Sequence, residues 1–307
     1  DHRRQITVRE GQRQKALTFQ PRWLTMLGIG RPDPSHGVMH MRLTTQQVQT
    51  YQRDGVLLYR QPVFSPQRFK ALKDHFDQKL DAWSAQSGGR SPEHMDVPHF
   101  TDPKLFDWLL ADEVLDLVEP LIGPDIVLWS SHFICKPPGV GKRVPWHEDS
   151  AYWKGRLDPM EVVTVWLAID PSGPDNGCMR VIPGTHTHGY SEYDPVADKE
   201  HNVFGTEVKP GQFDESTAID CVLDENECSL HHAKAIHGSN ANTSGRRRCG
   251  YTMRYMPATV KFIDDAHQQK GFAVYLARGR DRVGNRYGDP TRQNTEWMEH
   301  NLSPDMK

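Results

Sequence analysis

Long apolar runs are missing from this chain. Nothing approaches the roughly eighteen consecutive apolar residues that a membrane-spanning helix needs, so no membrane partner is expected. An excess of one charge is missing too. Lys and Arg number 37 against 40 Asp and Glu, a formal net charge of −3. That balance supplies no field for nucleic acid, and the longest basic run, Arg246-Arg247-Arg248, is only three residues. Cysteine is scarce: Cys135, Cys178, Cys221, Cys228 and Cys249 are odd in number and form no C-x-x-C pair. This argues against a disulfide framework and a thiolate zinc site, and the five are expected as buried small hydrophobes. The opening residues DHRRQITVRE lack the apolar core of a secretory signal. A reducing, cytoplasmic setting is therefore the expectation. There is no Gly-rich phosphate loop, no internal repeat and no low-complexity tract.

What is present suffices for a sizeable core: 36% hydrophobic residues, including eight tryptophans. Residues 1–40 are polar and irregular and read as an N-terminal extension that wraps the domain or orders on assembly, a possible arm for a homo-oligomer. Thr44 with Gln47 forms a capping box for a first helix that Gly55 ends, and Val56–Tyr59 follows as a strand. Ser65-Pro66 opens a second helix, whose apolar face is Phe69, Leu72, Phe76, Leu80 and Trp83. Asp102-Pro103 opens a third, carried by Phe106, Leu110, Val114, Leu117 and Leu121 until Pro120 and Gly123-Pro124 stop it.

Past residue 125 the pattern changes to short β-branched and aromatic segments between Gly, Pro, Asn and Asp. They are Ile126–Lys136, Val162–Ile169, Cys178–Ile182, Ala218–Leu223, Glu227–Ile236 and Arg247–Tyr255. Such a series predicts a barrel or a double-sheet jelly roll, mainly β, braced by the helices that precede it. The domain is placed at 41–260, and 261–307 reads as a C-terminal tail packed on it.

The chemistry is concentrated in two places. In Val144-Pro145-Trp146-His147-Glu148-Asp149, His147 and Asp149 stand two apart, so in extended backbone both reach one point. An imidazole and a carboxylate suit Fe(II), and a second histidine completes a facial triad with three open positions. H-x-D alone is weak, since a surface-loop histidine near acids has the same spelling. His237 strengthens it: it opens HGSNANTSGRRRCGYTMRY, a strand, a turn and a returning strand with Arg248 eleven residues on. An arginine fork suits the distal carboxylate of a 2-oxoacid. In a regular strand Arg247 faces the other way, and Arg254 shares the face of Arg248.

Together KPPG…VPWHEDSAYW, VTVWLAIDPSGPDNGCMRVIPGTH and SLHHAKAIHGSNANTSGRRRCGYTMRY resemble the phytanoyl-CoA dioxygenase family, as does the opening TTQQVQTYQRDGVLLY. The resemblance runs over about 43–257. It implies a double-stranded β-helix (cupin-like) core, an Fe(II) cofactor, and 2-oxoglutarate and O2 as co-substrates. Carried over by position, the metal ligands fall on His147, Asp149 and His237, and the 2-oxoglutarate anchor on Arg248. Trp166 matches a position near the co-substrate, Thr164 shares its face, and Lys136 and Ser239 are further pocket candidates. With Asp149 present, hydroxylation is favoured over halogenation, and release of succinate and CO2 is implied. Desaturation, ring formation and epimerisation stay open.

Several residues take the plainer reading. His231 and His232 are strand residues, one inward and one outward, and His186 and His188 belong to a structural turn. Asn176-Gly177 is a turn signal. Tyr152 and Trp153 are core or pocket aromatics, and Glu148 should point away from the metal. Lys142, Arg143, Arg180 and His132 lie where they could approach the barrel mouth and favour a polar or anionic small-molecule substrate. Two rivals remain: a cupin dioxygenase that needs no 2-oxoacid, and a barrel that binds without turnover.

Overall fold

A computed structural model describes residues 42–86 and 95–302; the expected extension at 1–40 lies outside the described residues. The helical brace is α1 (Thr45–Asp54), β1 (Val56–Tyr59), α2 (Pro66–Gln86), β2 (Met95–Asp96), α3 (Phe106–Leu109) and α4 (Asp112–Ile122). The β-core follows: β3 (Ile126–Lys136), β4 (Val144–His147), α5 (Asp149–Trp153), β5 (Leu157–Asp158), β6 (Val163–Ala168), β7 (Met179–Val181), β8 (Tyr193–Pro195) and β9 (Thr206–Val208). It continues through β10 (Ile219–Asp220), β11 (Cys228–His232), β12 (His237–Ser239), β13 (Arg248–Pro257), β14 (Lys261–Phe262), α6 (Asp265–Gln269), β15 (Tyr275–Arg278) and α7 (Thr295–Asn301).

Two antiparallel sheets make the core. The larger runs β1-β11-β6-β13-β3-β15, with β2 also paired to β3, and the smaller runs β10-β7-β12-β4. This is the expected mainly β, double-stranded β-helix arrangement with helical additions. Alternation assigns the two faces of the large sheet. On β13, Cys249, Tyr251, Met253 and Tyr255 join the apolar core with Leu72, Phe76, Leu109, Val114 and Val118 of the helices. Arg248, Thr252 and Arg254 take the opposite face and line a cavity. The Tyr255 hydroxyl, fully buried, donates to the Leu109 carbonyl at 2.7 Å, tying sheet to brace.

The capping box forms as spelled: Thr44 N–H donates to Gln47 Oε1 at 2.8 Å and Gln47 N–H to Thr44 Oγ1 at 3.2 Å. Gly55 ends α1 at φ 69, in left-handed backbone. The third helix differs from expectation. A 3-10 turn at Pro103–Leu105 leads into α3, and α4 starts afresh after Ala111, whose backbone is extended at ψ 136. Both helices bury their apolar residues in the same core, so the spacing runs on across the break. Pro120 lies inside α4, and Gly123 is the residue that ends it.

The cysteine expectation also needs correcting. Cys135 and Cys249 sit directly opposite each other on β3 and β13 and are joined as a disulfide. Nothing in linear spacing shows that residues 114 apart are cross-strand partners. Cys178, Cys221 and Cys228 are free and buried, as expected. The segment read as a tail supplies β15 to the large sheet beside β3. Among the described residues no helix is long and apolar enough to cross a membrane.

Candidate metal centre

His147 ends β4, Glu148 stays extended, and Asp149 begins α5. The two side chains therefore converge through a strand end and a first helical turn, where a continuous strand was expected. Ser150 N–H donates to the Ala233 carbonyl at 2.9 Å, pinning the start of α5 to the turn after β11. His237 opens β12 and pairs in register with His147. The rings stand 4.2 Å apart between centroids.

His147, Asp149 and His237 are buried and offer ligand atoms that all lie within 4.8 Å of one another. Each histidine Nδ1 is tied to a backbone carbonyl two residues back, that of Pro145 at 2.8 Å and that of Ala235 at 2.9 Å. Each Nε2 is thereby left as the ligand atom, the usual way in which an outer hydrogen bond sets the tautomer of a metal ligand. Burial lowers the pKa of both histidines, so both imidazoles are neutral. Burial opposes ionisation of Asp149, but the nearby Arg254 charge overrides it and holds the carboxyl well below its ordinary range. Two neutral imidazoles and one carboxylate fit a divalent first-row ion of the Fe(II) kind.

The cavity beside these ligands holds about 140 Å³. Trp166, Ser239 and Arg248 line it. Arg248 is 2% exposed and donates from Nε and Nη2 to the Gly177 carbonyl at 3.1 and 2.7 Å. Its guanidinium lies 5.5 Å from the Trp166 ring centroid. Both contacts fix the plane of the fork at the cavity wall. Gly250 makes the arrangement feasible: a Cβ there would meet the Trp166 ring at 2.2 Å. Gly177, at φ 75, would meet the Asn240 carbonyl at 2.5 Å if it carried a Cβ.

The other expected pocket residues divide. Thr164 is fully buried outside the cavity lining, with its hydroxyl 3.5 Å from Asp149 Oδ2. Lys136 stands opposite Arg248 in register and donates from Nζ to the Asn240 carbonyl, outside the cavity lining. Glu148 turns away and accepts from Ser191 N–H at 2.7 Å. Arg143 pairs with Glu207, and Arg180 with Glu215 and Asp220. Of the four mouth residues only His132 reaches the cavity wall. His232 faces outward to Glu161 at 3.2 Å, and His231 faces in.

Two residues escaped the sequence reading. Phe204 covers His147 with ring centroids 4.9 Å apart and also meets Tyr152. It comes from a loop with no periodicity to announce it. Arg254 was seen to share a face with Arg248, but not that its Nε would stand 3.5 Å from Asp149.

Known proteins share sequence and fold with this chain. Among curated proteins, a probable phytanoyl-CoA dioxygenase of Caenorhabditis elegans is 30% identical over 236 residues, 67% of this chain and 73% of that one. Phytanoyl-CoA dioxygenase, peroxisomal, of Bos taurus is 29% identical over 168 residues, covering 53% of this chain and 49% of its own length. The chain thus spans about half the length of the mammalian relatives first matched. Among solved structures, the non-heme monooxygenase ThoJ superposes with TM-score 0.66 at 24% identity, over 83% of this chain and 94% of that one. CytC3 with Fe(II) and alpha-ketoglutarate gives 0.60 at 21% identity, over 82% and 96%. Because the family model described as phytanoyl-CoA dioxygenase (PhyH) matches residues 51–250, well over half its length, the chain belongs to that family.

Proposed function

We propose that the protein is an Fe(II)- and 2-oxoglutarate-dependent dioxygenase that hydroxylates an unactivated C–H bond of a small molecule. The observation that carries this reading is one cavity with a buried His147-Asp149-His237 cluster at one side and the buried fork of Arg248 in its wall. When bound, iron with O2 and 2-oxoglutarate supplies the oxidising power, and the co-substrate leaves as succinate and CO2.

The chain's own residues hold and orient. His147, Asp149 and His237 hold the metal through two imidazole Nε2 atoms and a carboxylate oxygen. Arg248 neutralises the distal carboxylate of 2-oxoglutarate bidentately, with Trp166 beneath its guanidinium and Ser239 on the same wall. Lys136, next to Arg248 on the neighbouring strand, adds positive charge at that end. Phe204 and Tyr152 cover the face of His147 and keep water from the reacting centre. On the wall, His132 offers a ring nitrogen to a polar substrate, and Thr252, whose hydroxyl donates to the His132 carbonyl at 3.0 Å, offers an acceptor oxygen.

The test is product analysis. Iron-loaded protein given 2-oxoglutarate and O2 should release succinate, and His237→Ala should abolish it. Oxygen consumption that proceeds without 2-oxoglutarate would instead favour a dioxygenase independent of the oxoacid.

A further inference from the structure

The register of the large sheet places four polar side chains in one transverse row on its inner face. His231 pairs with Thr164, Thr164 with Arg254, and Arg254 with Ser130. All four are buried, at 1%, 0%, 8% and 5% exposure. A row of this kind is costly in a barrel interior unless its polar groups meet partners. Three of the four converge on a single atom, Asp149 Oδ2: Arg254 Nε and Thr164 Oγ1 each at 3.5 Å and His231 Nε2 at 3.9 Å. Among the described residues, Arg254 Nε and His231 Nδ1 have no hydrogen-bond partner. A shift of Asp149 by about 0.5 Å toward the row would bring the arginine and threonine contacts to ordinary hydrogen-bond length.

From this geometry we infer that Arg254, Thr164 and His231 are positioning residues that grip Oδ2 of Asp149 and so present its other oxygen to the metal. The inference deepens the iron reading and rests on it. Asp149 needs such a grip. His147 and His237 are strand residues fixed by backbone pairing and by their Nδ1 hydrogen bonds. Asp149 begins a helix of five residues, and no β-ladder fixes its side chain. Arg254 is itself held in place by the Trp153 ring, 5.4 Å from its guanidinium carbon. The row acts on the carboxylate ligand alone. Arg248, six residues earlier on β13, serves the opposite end of the cavity.

Binding of Mn(II) or Co(II), which need no anaerobic handling, tests this without turnover. Calorimetry on the wild-type protein and on Arg254→Gln, Thr164→Val and Arg254→Lys gives the dissociation constants. Loss of one outer contact typically weakens a metal site about 10- to 100-fold. Arg254→Gln should fall in that range, Thr164→Val at its lower end, and Arg254→Lys should recover part of the loss. The Co(II) visible spectrum should change in Arg254→Gln, a shift that loss of packing alone would not give. Thermal melting of each apo variant separates misfolding from ligand loss, and Thr164→Val, which keeps the side-chain size, carries the test if Arg254→Gln does not fold. Unchanged metal affinity and an unchanged spectrum in folded variants would overturn the positioning role while leaving the metal centre intact. A wild-type protein that binds neither ion would overturn the metal reading and this inference together.

Discussion

The two faces of one sheet divide the work of this protein. On β3, Phe133 points outward, stacked on Tyr251 at 4.0 Å and packed against Phe76 of α2. Ile134, the next residue, points inward to the cavity. The outer face is apolar apart from Ser131, which bonds His99 and Tyr251, and is filled by the helices; the inner face carries arginine, threonine, serine and histidine. Outer residues gain from removal of apolar surface from water, whereas inner residues are stable only when their polar groups are satisfied by one another or by a ligand. Stability should therefore be read from one face and function from the other.

The sharpest way to break that division is Phe133→Ala. A fully buried phenylalanine lost from the outer face should cost about 3–5 kcal/mol of unfolding free energy. Denaturant titration measures the cost, and 2-oxoglutarate affinity of the folded fraction should stay unchanged. Arg248→Ala on the inner face should do the reverse. Removing a buried carboxylate partner is expected to weaken 2-oxoglutarate binding about 100-fold, measured by calorimetry on the Mn(II) form, with metal affinity kept.

Gly250→Ala tests the inner face more finely, because the added methyl would collide with the ring of Trp166 on which Arg248 lies. Overpacking of this kind costs about 1–3 kcal/mol, and 2-oxoglutarate affinity should drop about tenfold as the fork loses its support.

The most gradual effect belongs to the outer face and emerges only as pH falls. His99 is completely buried among Phe100, Phe106 and Tyr275, and burial lowers its pKa from 6.5 to about 3. The folded protein thus resists protonating it while the unfolded chain does not. The stability this neutral histidine contributes is complete above pH 6.5 and is lost as pH falls toward about 3. The slope is at most about 1.4 kcal/mol per pH unit. Urea titrations at several pH values should show His99→Phe flattening the slope between pH 6.5 and 5 relative to wild type.

Much of this was legible from residue order. Short β-branched and aromatic segments between turn residues marked the strands of the core, and capping chemistry at Thr44 and Ser65 marked α1 and α2. H-x-D alone was weak, and His147, Asp149, His237 and Arg248 were assigned through the resemblance of three sequence blocks to the phytanoyl-CoA dioxygenase family. What stayed hidden depends on register. Cys135 meets Cys249, and Arg254 meets Asp149, only once β13 is paired in one alignment with β3 and β6. A shift of one residue would reverse both, and linear spacing does not select between the two. The break between α3 and α4 was hidden for a different reason, since both helices feed one core and keep the apolar spacing across Ala111.

Anaerobic titration of the iron-loaded protein with 2-oxoglutarate tests the central assignment most directly. A facial-triad iron with open positions should give a weak visible charge-transfer band at about 500 nm when the oxoacid chelates it. The wild-type protein should show that band, His237→Ala should lose it, and Arg248→Ala should show it only at far higher 2-oxoglutarate. Fully iron-loaded wild-type protein that gives no band at saturating 2-oxoglutarate would contradict the assignment.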